Sequence, residues 1–274
     1  MIKFTFLSEN KTESSSCAGE HGLSVYIEAH GKKILFDFGA SDLFYKNAVN
    51  LGIDLSKVDM AVVSHGHYDH TGGIPQFSRI NQDAPIYIHK NAFRQTYGME
   101  NGKLEKVGSG IRFPKDQFDH RWALTDGLTR ISDEIVISGT IPVPDDGKPI
   151  ETFYMKEADG SLRADDMSHE QFLAIRDTKG VFLFSGCSHR GVLPAVDYCK
   201  EIFPDTPIYM LIAGMHLYHA SSDETENMVR ELRDLGINKV MPVHCTGLKA
   251  ITAIKNSMGE DCILATAGER YEYS

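Results

Sequence analysis

Four side chains that can bind metal lie within six positions of the segment "SHGHYDHTGG", residues 64–73. They are His65, His67, Asp69 and His70. Imidazole nitrogens and carboxylate oxygens are ligands that zinc prefers, and a catalytic zinc site keeps one coordination position open for water. Side chains at i and i+2 of a strand end point the same way, so we expect His65 and His67 to share one metal. Asp69 and His70 are then placed to bind a second metal.

One loop cannot surround two metals, so the remaining ligands must come from elsewhere in the chain. Strands predicted later in the sequence supply candidates at their carboxyl ends. These candidates are Cys187 and His189 in "FLFSGCSHRG", His216 in "LIAGMHL" and His244 in "VMPVHCTG". Because the carboxyl ends of neighbouring parallel strands meet at one edge of a sheet, we predict a site assembled along one rim. His189 and His244 are expected ligands, whereas His216 is expected to contact substrate.

The hydrophobic pattern of the first half predicts the elements that carry this cluster. Four strand-like runs open the chain: "IKFTFL", "LSVYIEA", "KKILFDFG" and "DMAVVS". The last of them ends directly before His65. The segment "NAFRQTY" (91–97) is predicted to be helical. Residues from about 98 to 168 contain clusters of Gly, Pro and Asp, and we expect them to form loops and short strands that shape a pocket.

Strands and helices alternate in the second half. The predicted strands are "FLAIRD", "VFLFSG", "PIYMLIAG", "KVMPVH" and "CILATA", and the predicted helices cover about 191–203, 222–235 and 247–257. In the second of these helices, Ser221 and Glu224 have the spacing of a capping box, and Gly236 follows as a C-terminal stop. Its buried stripe is predicted to comprise Met228, Leu232 and Leu235. This pattern indicates sheets enclosed between helices.

Composition and charge exclude several classes of function. The 274 residues carry a formal net charge of -10, so a polyanion would be repelled and nucleic acid is not expected as a partner. The sequence has no run of about 18 apolar residues, so we expect no membrane span. Five cysteines without a CxxC pair argue against a disulfide framework and favour a reducing cytoplasm. We expect one domain over residues 1–274.

The segment "HGHYDHTGG" resembles the HxHxDH signature of the metallo-beta-lactamase superfamily. Upstream, "ILFDFGAS" is similar to the superfamily's strand ending in Asp-x-Gly, which implies that Asp37 braces the histidine loop without binding metal. Five segments resemble a narrower group of stand-alone metal-dependent hydrolases, often labelled dihydropterin-aminobenzene ribofuranosyl phosphate synthase-like. These segments are "EHGLSVYIE", "SHGHYDHTGG", "FSGCSHRG", "AGMHL" and "PVHCTG". In the first of them, Glu20 and His21 are candidates to approach the site.

This resemblance covers most of the chain and implies its fold class. The implied class is α/β (α+β), in the form of a four-layer αββα sandwich. A dinuclear metal site is implied at the open edge of the two sheets.

The chain departs from the superfamily pattern at two points. Most members have an aspartate that bridges the metals after the "LFSG" strand, where this chain has Cys187. Some zinc beta-lactamases use cysteine there, so Cys187 is either a ligand of the second metal or a small buried apolar side chain. The usual third histidine of the first metal comes some residues before the preceding strand. His169 directly adjoins that strand and is therefore closer to it than the usual ligand. His189 is the preferred replacement, and His169 is the alternative.

These residues predict a hydrolase that uses two divalent metal ions, with zinc as the first choice and iron or manganese as alternatives. A metal pair lowers the pKa of a bound water towards neutrality and stabilises the leaving oxygen. Asp69 would bind metal and orient or accept a proton. The expected substrate is a small anionic or ester molecule: a phosphodiester, a phosphate ester or a lactone.

Two other functions stay open. The same fold hosts iron-dependent thiol dioxygenases, and a metal-retaining metabolite-binding protein with little turnover would use the same pocket. The basic side chains Arg112, Lys115 and Arg190 are further candidates for substrate contact. The sequence specifies neither the substrate nor the oligomeric state, so a homo-oligomer stays open.

Overall fold

Two large β-sheets form the centre of the structure, a computed structural model that describes residues 1–100, 103–104, 108–144, 149–157 and 159–274. In the described chain the first sheet comprises β1 (Ile2–Ser8), β2 (Ser24–Ala29), β3 (Lys32–Phe36), β4 (Met60–Val62), β5 (Ile86–His89), β9 (Trp122–Thr125) and β18 (Arg270–Tyr273). Their order across the sheet is β18-β1-β2-β3-β4-β5-β9. Parts of the predicted loop region, at 101–102, 105–107, 145–148 and 158, lie outside the described residues.

The second large sheet is formed mainly by the second half of the chain. Over the same described ranges it comprises β10 (Thr129–Arg130), β11 (Ile135–Ile137), β14 (Leu173–Asp177), β15 (Gly180–Ser185), β16 (Ile208–Ala213) and β17 (Lys239–Pro242), in the order β10-β11-β14-β15-β16-β17. Two small sheets lie in the middle region. One contains β6 (Thr96–Tyr97), β12 (Tyr154–Lys156) and β13 (Leu162–Ala164), and the other β7 (Met99–Glu100) and β8 (Lys103–Leu104).

The helices flank these sheets. They are α1 (Leu43–Asn50), α2 (Tyr68–Thr71), α3 (Ile74–Ile80), α4 (Val192–Ile202), α5 (Ser222–Asp234) and α6 (Leu248–Met258). Short 3-10 turns cover Leu55–Lys57, Lys115–Arg121, His244–Thr246 and Gly259–Asp261. None of the helices in the described part of the chain combines the length and the apolar composition that a bilayer crossing requires.

Alternating side chains of the central strands separate the core into layers. In β15, Phe182 and Phe184 pack in the cluster between the two sheets, whereas Val181 and Leu183 pack beneath the helices α4, α5 and α6. Phe184 meets Phe4 of the first sheet edge to face, with ring centroids 5.6 Å apart. A third cluster joins the outer face of the first sheet to α1 and α3. Strand side chains alternate between faces, so the layers are α, β, β and α, and the predicted four-layer fold is confirmed.

The capping signals of α5 agree with the sequence analysis. Ser221 Oγ accepts from Glu224 N at 3.2 Å, and Glu224 Oε2 accepts from Ser221 N at 2.7 Å. Gly236 has φ +69° directly after the helix. The predicted stripe was incomplete: Leu232 is fully buried and Met228 and Leu235 are partly buried, but Thr225 and Val229 belong to it as well.

The helix predicted over "NAFRQTY" is wrong. Thr96 and Tyr97 instead form β6 and pair with Met155 and Tyr154 of β12. Cross-strand pairing therefore overrides a weak local helical preference in this segment.

The last predicted strand also needs correction. In "CILATA" only isolated bridges form, Cys262 with Val240 and Ala267 with Thr12. The final strand is β18, which pairs antiparallel with β1. Its "RYEY" sequence alternates because Tyr271 and Tyr273 pack against the core between the sheets, while Arg270 and Glu272 are exposed.

Candidate metal centre

Strand ends from both large sheets place the candidate ligands at one rim. Strands β3, β4 and β5 run parallel, as do β15, β16 and β17. Their carboxyl ends lead directly into the segments that hold the candidate ligands. The candidate ligands are His65 after β4, Cys187 after β15, His216 after β16 and His244 after β17, and the supporting carboxylate Asp37 follows β3. The predicted assembly along one rim therefore matches the topology.

Three histidines form the first group of candidate ligands. One ligand atom each from His65, His67 and His189 lies within 4.8 Å of the others, and all three side chains are buried. In the described part of the chain, their Nε2 atoms have no hydrogen-bond partner, and neither does His189 Nδ1. Burial lowers the pKa of all three imidazoles, that of His67 to about 3. Neutral imidazoles with unshared nitrogen lone pairs fit a divalent metal ion.

A second group surrounds Asp69. His21 Nε2 and His244 Nε2 each lie 3.2 Å from Asp69 Oδ2, although His244 Nε2 lacks the alignment of a hydrogen bond. His70 Nε2 lies 3.1 Å from Cys187 Sγ and 3.9 Å from Asp69 Oδ2. Although burial alone would raise it, His70, His21 and His244 hold the pKa of Asp69 well below its ordinary value. An ionised carboxylate, imidazoles and a thiol thus form a second donor set that fits a divalent cation.

Asp37 holds the histidine loop in place through hydrogen bonds. Its Oδ1 accepts from Ser64 N and its Oδ2 from Ser64 Oγ, both at 2.7 Å. The same Oδ2 accepts from His70 Nδ1 at 2.7 Å. Since the Ser64 hydroxyl proton is committed to Asp37, His65 Nδ1 must donate to Ser64 Oγ, which lies 2.9 Å away. Both imidazoles therefore carry their proton on Nδ1 and keep Nε2 for the cluster.

Three polar residues that the sequence analysis missed hold the other histidines. Asn10 Oδ1 accepts from His244 Nδ1 at 2.7 Å, and buried Glu9 accepts from His244 N at 2.6 Å. Glu170, also buried, accepts from His189 N at 2.7 Å. The sequence does contain a signal for Glu9 and Asn10, because both follow the predicted strand β1. The carboxyl end of β1 lies at the same edge of the sheet as that of β3. For Glu170 we find no such signal in the sequence.

Left-handed backbone conformations concentrate at this rim. Of the six described non-glycine residues with positive φ, four lie here: Asp37 at +59°, Ser188 at +54°, His216 at +49° and His244 at +45°. Such conformations cost free energy for residues with a Cβ and cluster at functional sites. The surrounding contacts therefore hold these segments in the conformation that places their side chains at the rim.

Two glycines allow close packing of the loops at the site. A Cβ on Gly66 would lie 2.1 Å from Ala92 O, and one on Gly186 would lie 2.2 Å from Ser64 Oγ. Both distances are far below van der Waals contact, so only glycine fits at these positions. Gly66 separates His65 from His67, and the spacing of the motif therefore depends on it.

His169, the alternative ligand, lies beside the cluster and outside every candidate ligand group found among the described residues. Its Nδ1 accepts from Gly66 N at 3.2 Å, and its Nε2 lies 3.4 Å from Asp165 Oδ2. Both ring nitrogens thus have protein partners.

His216 lies at the cluster. It forms a candidate ligand group with Cys187 and His189, and its Nδ1 lies 3.1 Å from Glu151 Oε2.

The three basic candidates for substrate contact differ in the contacts that their side chains make. Arg190 is committed to the fold, since its Nε donates to Ile141 O at 2.9 Å and its Nη1 to Asp166 O at 2.7 Å. The Arg112 guanidinium lies 3.7 Å from the centre of the Tyr68 ring, next to the histidine loop. Lys115 Nζ lies 5.1 Å from the Phe93 ring centre. Of the three, Arg112 is placed best for a ligand at the rim.

An aromatic side chain forms one wall of the cluster. The Phe153 ring centre lies 4.4 Å from that of His67 and 5.3 Å from that of His189. Phe153 itself is buried. An apolar wall lowers the local dielectric and strengthens electrostatic interactions within the site.

Comparisons with known proteins give relatives that match nearly the whole chain. The 7,8-dihydropterin-6-methyl-4-(beta-D-ribofuranosyl)-aminobenzene-5'-phosphate synthase of Methanocaldococcus jannaschii is 30% identical over 281 residues, covering 97% of this chain and 94% of the relative. The crystal structure of Tm1679, a metal-dependent hydrolase of the beta-lactamase superfamily, is 29% identical and superposes with a TM-score of 0.85 over 100% of both chains. Zn(2+)-bound PqqB from Methylobacterium extorquens shares the fold alone, with 9% identity and a TM-score of 0.59 over 99% of this chain and 100% of that one.

The sequence model of one protein family covers most of the chain. It is the model of the metallo-beta-lactamase superfamily, and it matches residues 18–244. This range begins before His21 and ends at His244, so it includes both groups of candidate ligands. The chain belongs to the metallo-beta-lactamase superfamily.

Proposed function

We propose that the protein is a two-metal hydrolase that acts on a small anionic or ester substrate, such as a phosphodiester, a phosphate ester or a lactone. The observation that carries this proposal is the set of buried Nε2 atoms of His65, His67 and His189, which lack hydrogen-bond partners within the described residues. A buried polar atom without a partner costs on the order of 1–3 kcal/mol. Three such atoms side by side are best explained by cation binding.

The proposed ligands divide into two sets of buried side chains. The first set is His65, His67 and His189, and the second is Asp69, His70 and His244 with Cys187. The donor types suit zinc, with iron or manganese as alternatives. Two such ions, when bound, supply Lewis acidity and lower the pKa of coordinated water.

Asp69 is the proposed proton acceptor of the site. Its Oδ2 lies 3.2 Å from His21 Nε2. The side chain of His21 is 49% exposed, whereas that of Asp69 is 9% exposed. His21 thus connects the buried carboxylate to solvent, and a proton taken up at Asp69 has a short route out of the site.

A second candidate function comes from the Methanocaldococcus jannaschii synthase. That relative is 30% identical over nearly the whole of both chains. Its name specifies a phosphorylated ribofuranosyl aminobenzene joined to a dihydropterin. The second candidate is therefore synthesis of this or a related compound at the same metal centre.

The test reconstitutes the full chain with zinc, manganese or iron and measures turnover of chromogenic phosphodiesters, phosphomonoesters and lactones. We expect hydrolysis of at least one class and its loss in His67→Ala. His120→Ala is the matched control, since His120 is exposed and precedes the amino end of β9, opposite the rim. This variant should retain full activity.

Three results would contradict the proposal in distinguishable ways. Formation of the pterin product without any hydrolysis would favour the synthase. Oxygen consumption with a thiol substrate by the iron form would favour a dioxygenase. Tight metabolite binding with two metals and no turnover would favour a binding protein.

A further inference from the structure

A second thiol, Cys245, lies at the metal centre and has no part in the proposed function. One ligand atom each from Cys187, His244 and Cys245 lies within 4.8 Å of the others. Both cysteines are buried, 2% and 1% exposed. Neighbouring sulfur and nitrogen donors on a tetrahedral zinc lie roughly 3–4 Å apart, given the usual zinc–ligand bond lengths. The three side chains therefore form a candidate ligand group for one metal ion.

The local backbone places the Cys245 sulfur at this position. A Cβ on Gly214 would lie 2.6 Å from Cys245 Sγ, so the glycine leaves the space that the sulfur occupies. His216 N donates to Cys245 Sγ at 3.4 Å. Backbone N–H donors to sulfur are typical of metal–thiolate sites, because they stabilise the charge on the sulfur.

The surroundings of Cys245 differ from those of two other buried thiols. Cys199 lies in α4 and Cys262 follows the 3-10 turn Gly259–Asp261, and both pack in the apolar cluster beneath the helices. Neither belongs to a candidate ligand group among the described residues. Cys245 is thus set apart from these two by its neighbours and not by its burial.

We infer that Cys245 is a further metal ligand, which joins Cys187 and His244 at the second metal position. This inference rests on the proposed two-metal centre. The three residues match the number of protein ligands in a catalytic zinc site, which keeps a further position open for water. His70, with Nε2 at 3.1 Å from Cys187 Sγ, and Asp69, with Oδ2 at 3.2 Å from His244 Nε2, lie beside this group.

Two sulfur donors give the second position a definite metal preference. Thiolates select zinc and other thiophilic ions, whereas manganese and magnesium prefer carboxylates, carbonyls and water. The second position should therefore favour zinc or cobalt over manganese. The first position, built from imidazoles alone, should discriminate less strongly among zinc, iron and cobalt.

Cobalt binding to the metal-free full chain tests the inference, because thiolate-to-cobalt charge transfer absorbs in the near ultraviolet. We expect two bound cobalt ions with charge-transfer absorption in the wild type. Cys245→Ser and Cys245→Ala should lose about half of this absorption. They should also lower the affinity for one of the two cobalt ions by on the order of tenfold or more. Cys199→Ser and Cys262→Ser, the matched controls, should keep both the spectrum and the stoichiometry.

A measurement on the wild type covers the case in which a variant fails to fold. X-ray absorption of the zinc-loaded protein should give two sulfur neighbours for every two zinc ions. One sulfur for two zinc ions, or unchanged cobalt absorption in the Cys245 variants, would overturn the inference and leave the two-metal function intact. Fewer than two bound ions in the wild type would overturn both.

Discussion

Asp37 Oδ2 accepts a hydrogen bond from His70 Nδ1 at 2.7 Å, and both side chains are fully buried. A carboxylate can only accept, so the proton lies on Nδ1 and the Nε2 atom faces Cys187. Although burial alone would lower it, the carboxylates of Asp37 and Asp69 raise the pKa of His70. A strongly basic imidazole is also a strong metal ligand, and this pair therefore prepares the second metal position.

Replacement of this carboxylate should weaken metal binding without removing a ligand. Asp37→Asn keeps the size of the side chain but loses the charge and one acceptor for the three donors that Asp37 serves. We expect the affinity of the second metal to fall by roughly 10–100-fold, with the first metal less affected. Competition with a chromogenic chelator measures both affinities. Asp205→Asn, at an exposed site, is the control, and equal affinities in the two variants would contradict the prediction.

The two candidates for the third ligand of the first metal should behave differently on truncation. His189→Ala should release one metal ion, because both of its ring nitrogens lack other partners in the described chain. His169→Ala should keep two ions but lose about 1–3 kcal/mol of unfolding free energy, since it leaves the Gly66 N–H without its acceptor. Elemental analysis and urea unfolding separate the two effects. Loss of a metal ion from His169→Ala would reverse the assignment.

Removal of the metals should leave the fold in place. The large side chains Phe4, Phe36 and Phe184 pack in the core between the sheets, and a core of this size does not need a metal to form. After chelation we expect an unchanged far-ultraviolet circular dichroism spectrum and a cooperative melt at a lower temperature, because bound ligands stabilise the native state. A chelated protein that lacks secondary structure would show that the metals hold the fold.

His89 should make the protein acid-sensitive. Burial, with His169 nearby, lowers the pKa of His89 from 6.5 to about 4. Between these values the unfolded chain binds a proton that the folded chain does not, so stability is lost as the pH falls from about 6.5 to about 4. His89→Gln should reduce the stability difference between pH 7 and pH 5, measured by urea unfolding of the metal-free proteins.

The control for this measurement is His120→Gln, since His120 is exposed. This variant should show the same stability difference between the two pH values as the wild type. An equally large difference in His89→Gln would mean that other groups account for the acid sensitivity.

The candidate ligands on contiguous motifs could be recognised in the sequence, but the choice among distant candidates could not be made there. The segment from His65 to His70 is local, and the later candidates follow apolar runs that are recognisable as strands. The choice between His169 and His189 depends on loop conformations at positive φ, such as that of Ser188, which composition does not reveal. Glu170, which holds the His189 backbone, is visible only once both loops are in place.

The resemblance of the sequence motifs to the metallo-beta-lactamase superfamily implied the fold class, whereas the individual strands and helices were predicted from the apolar pattern, and the errors lie where that pattern is weak. "NAFRQTY" has no clear period, and its pairing with β12 spans more than fifty residues. The terminal "RYEY" in the edge strand β18 is polar at every second position because one face of the strand is exposed. Long-range pairing, and not local propensity, decides the structure of both segments.

Anomalous diffraction from crystals of the zinc-loaded protein, recorded on both sides of the zinc absorption edge, tests the two-metal centre most directly. We predict two anomalous peaks at the rim, one among His65, His67 and His189 and the other among Asp69, His70, His244 and Cys187. A single peak, or peaks elsewhere on the protein, would contradict the account.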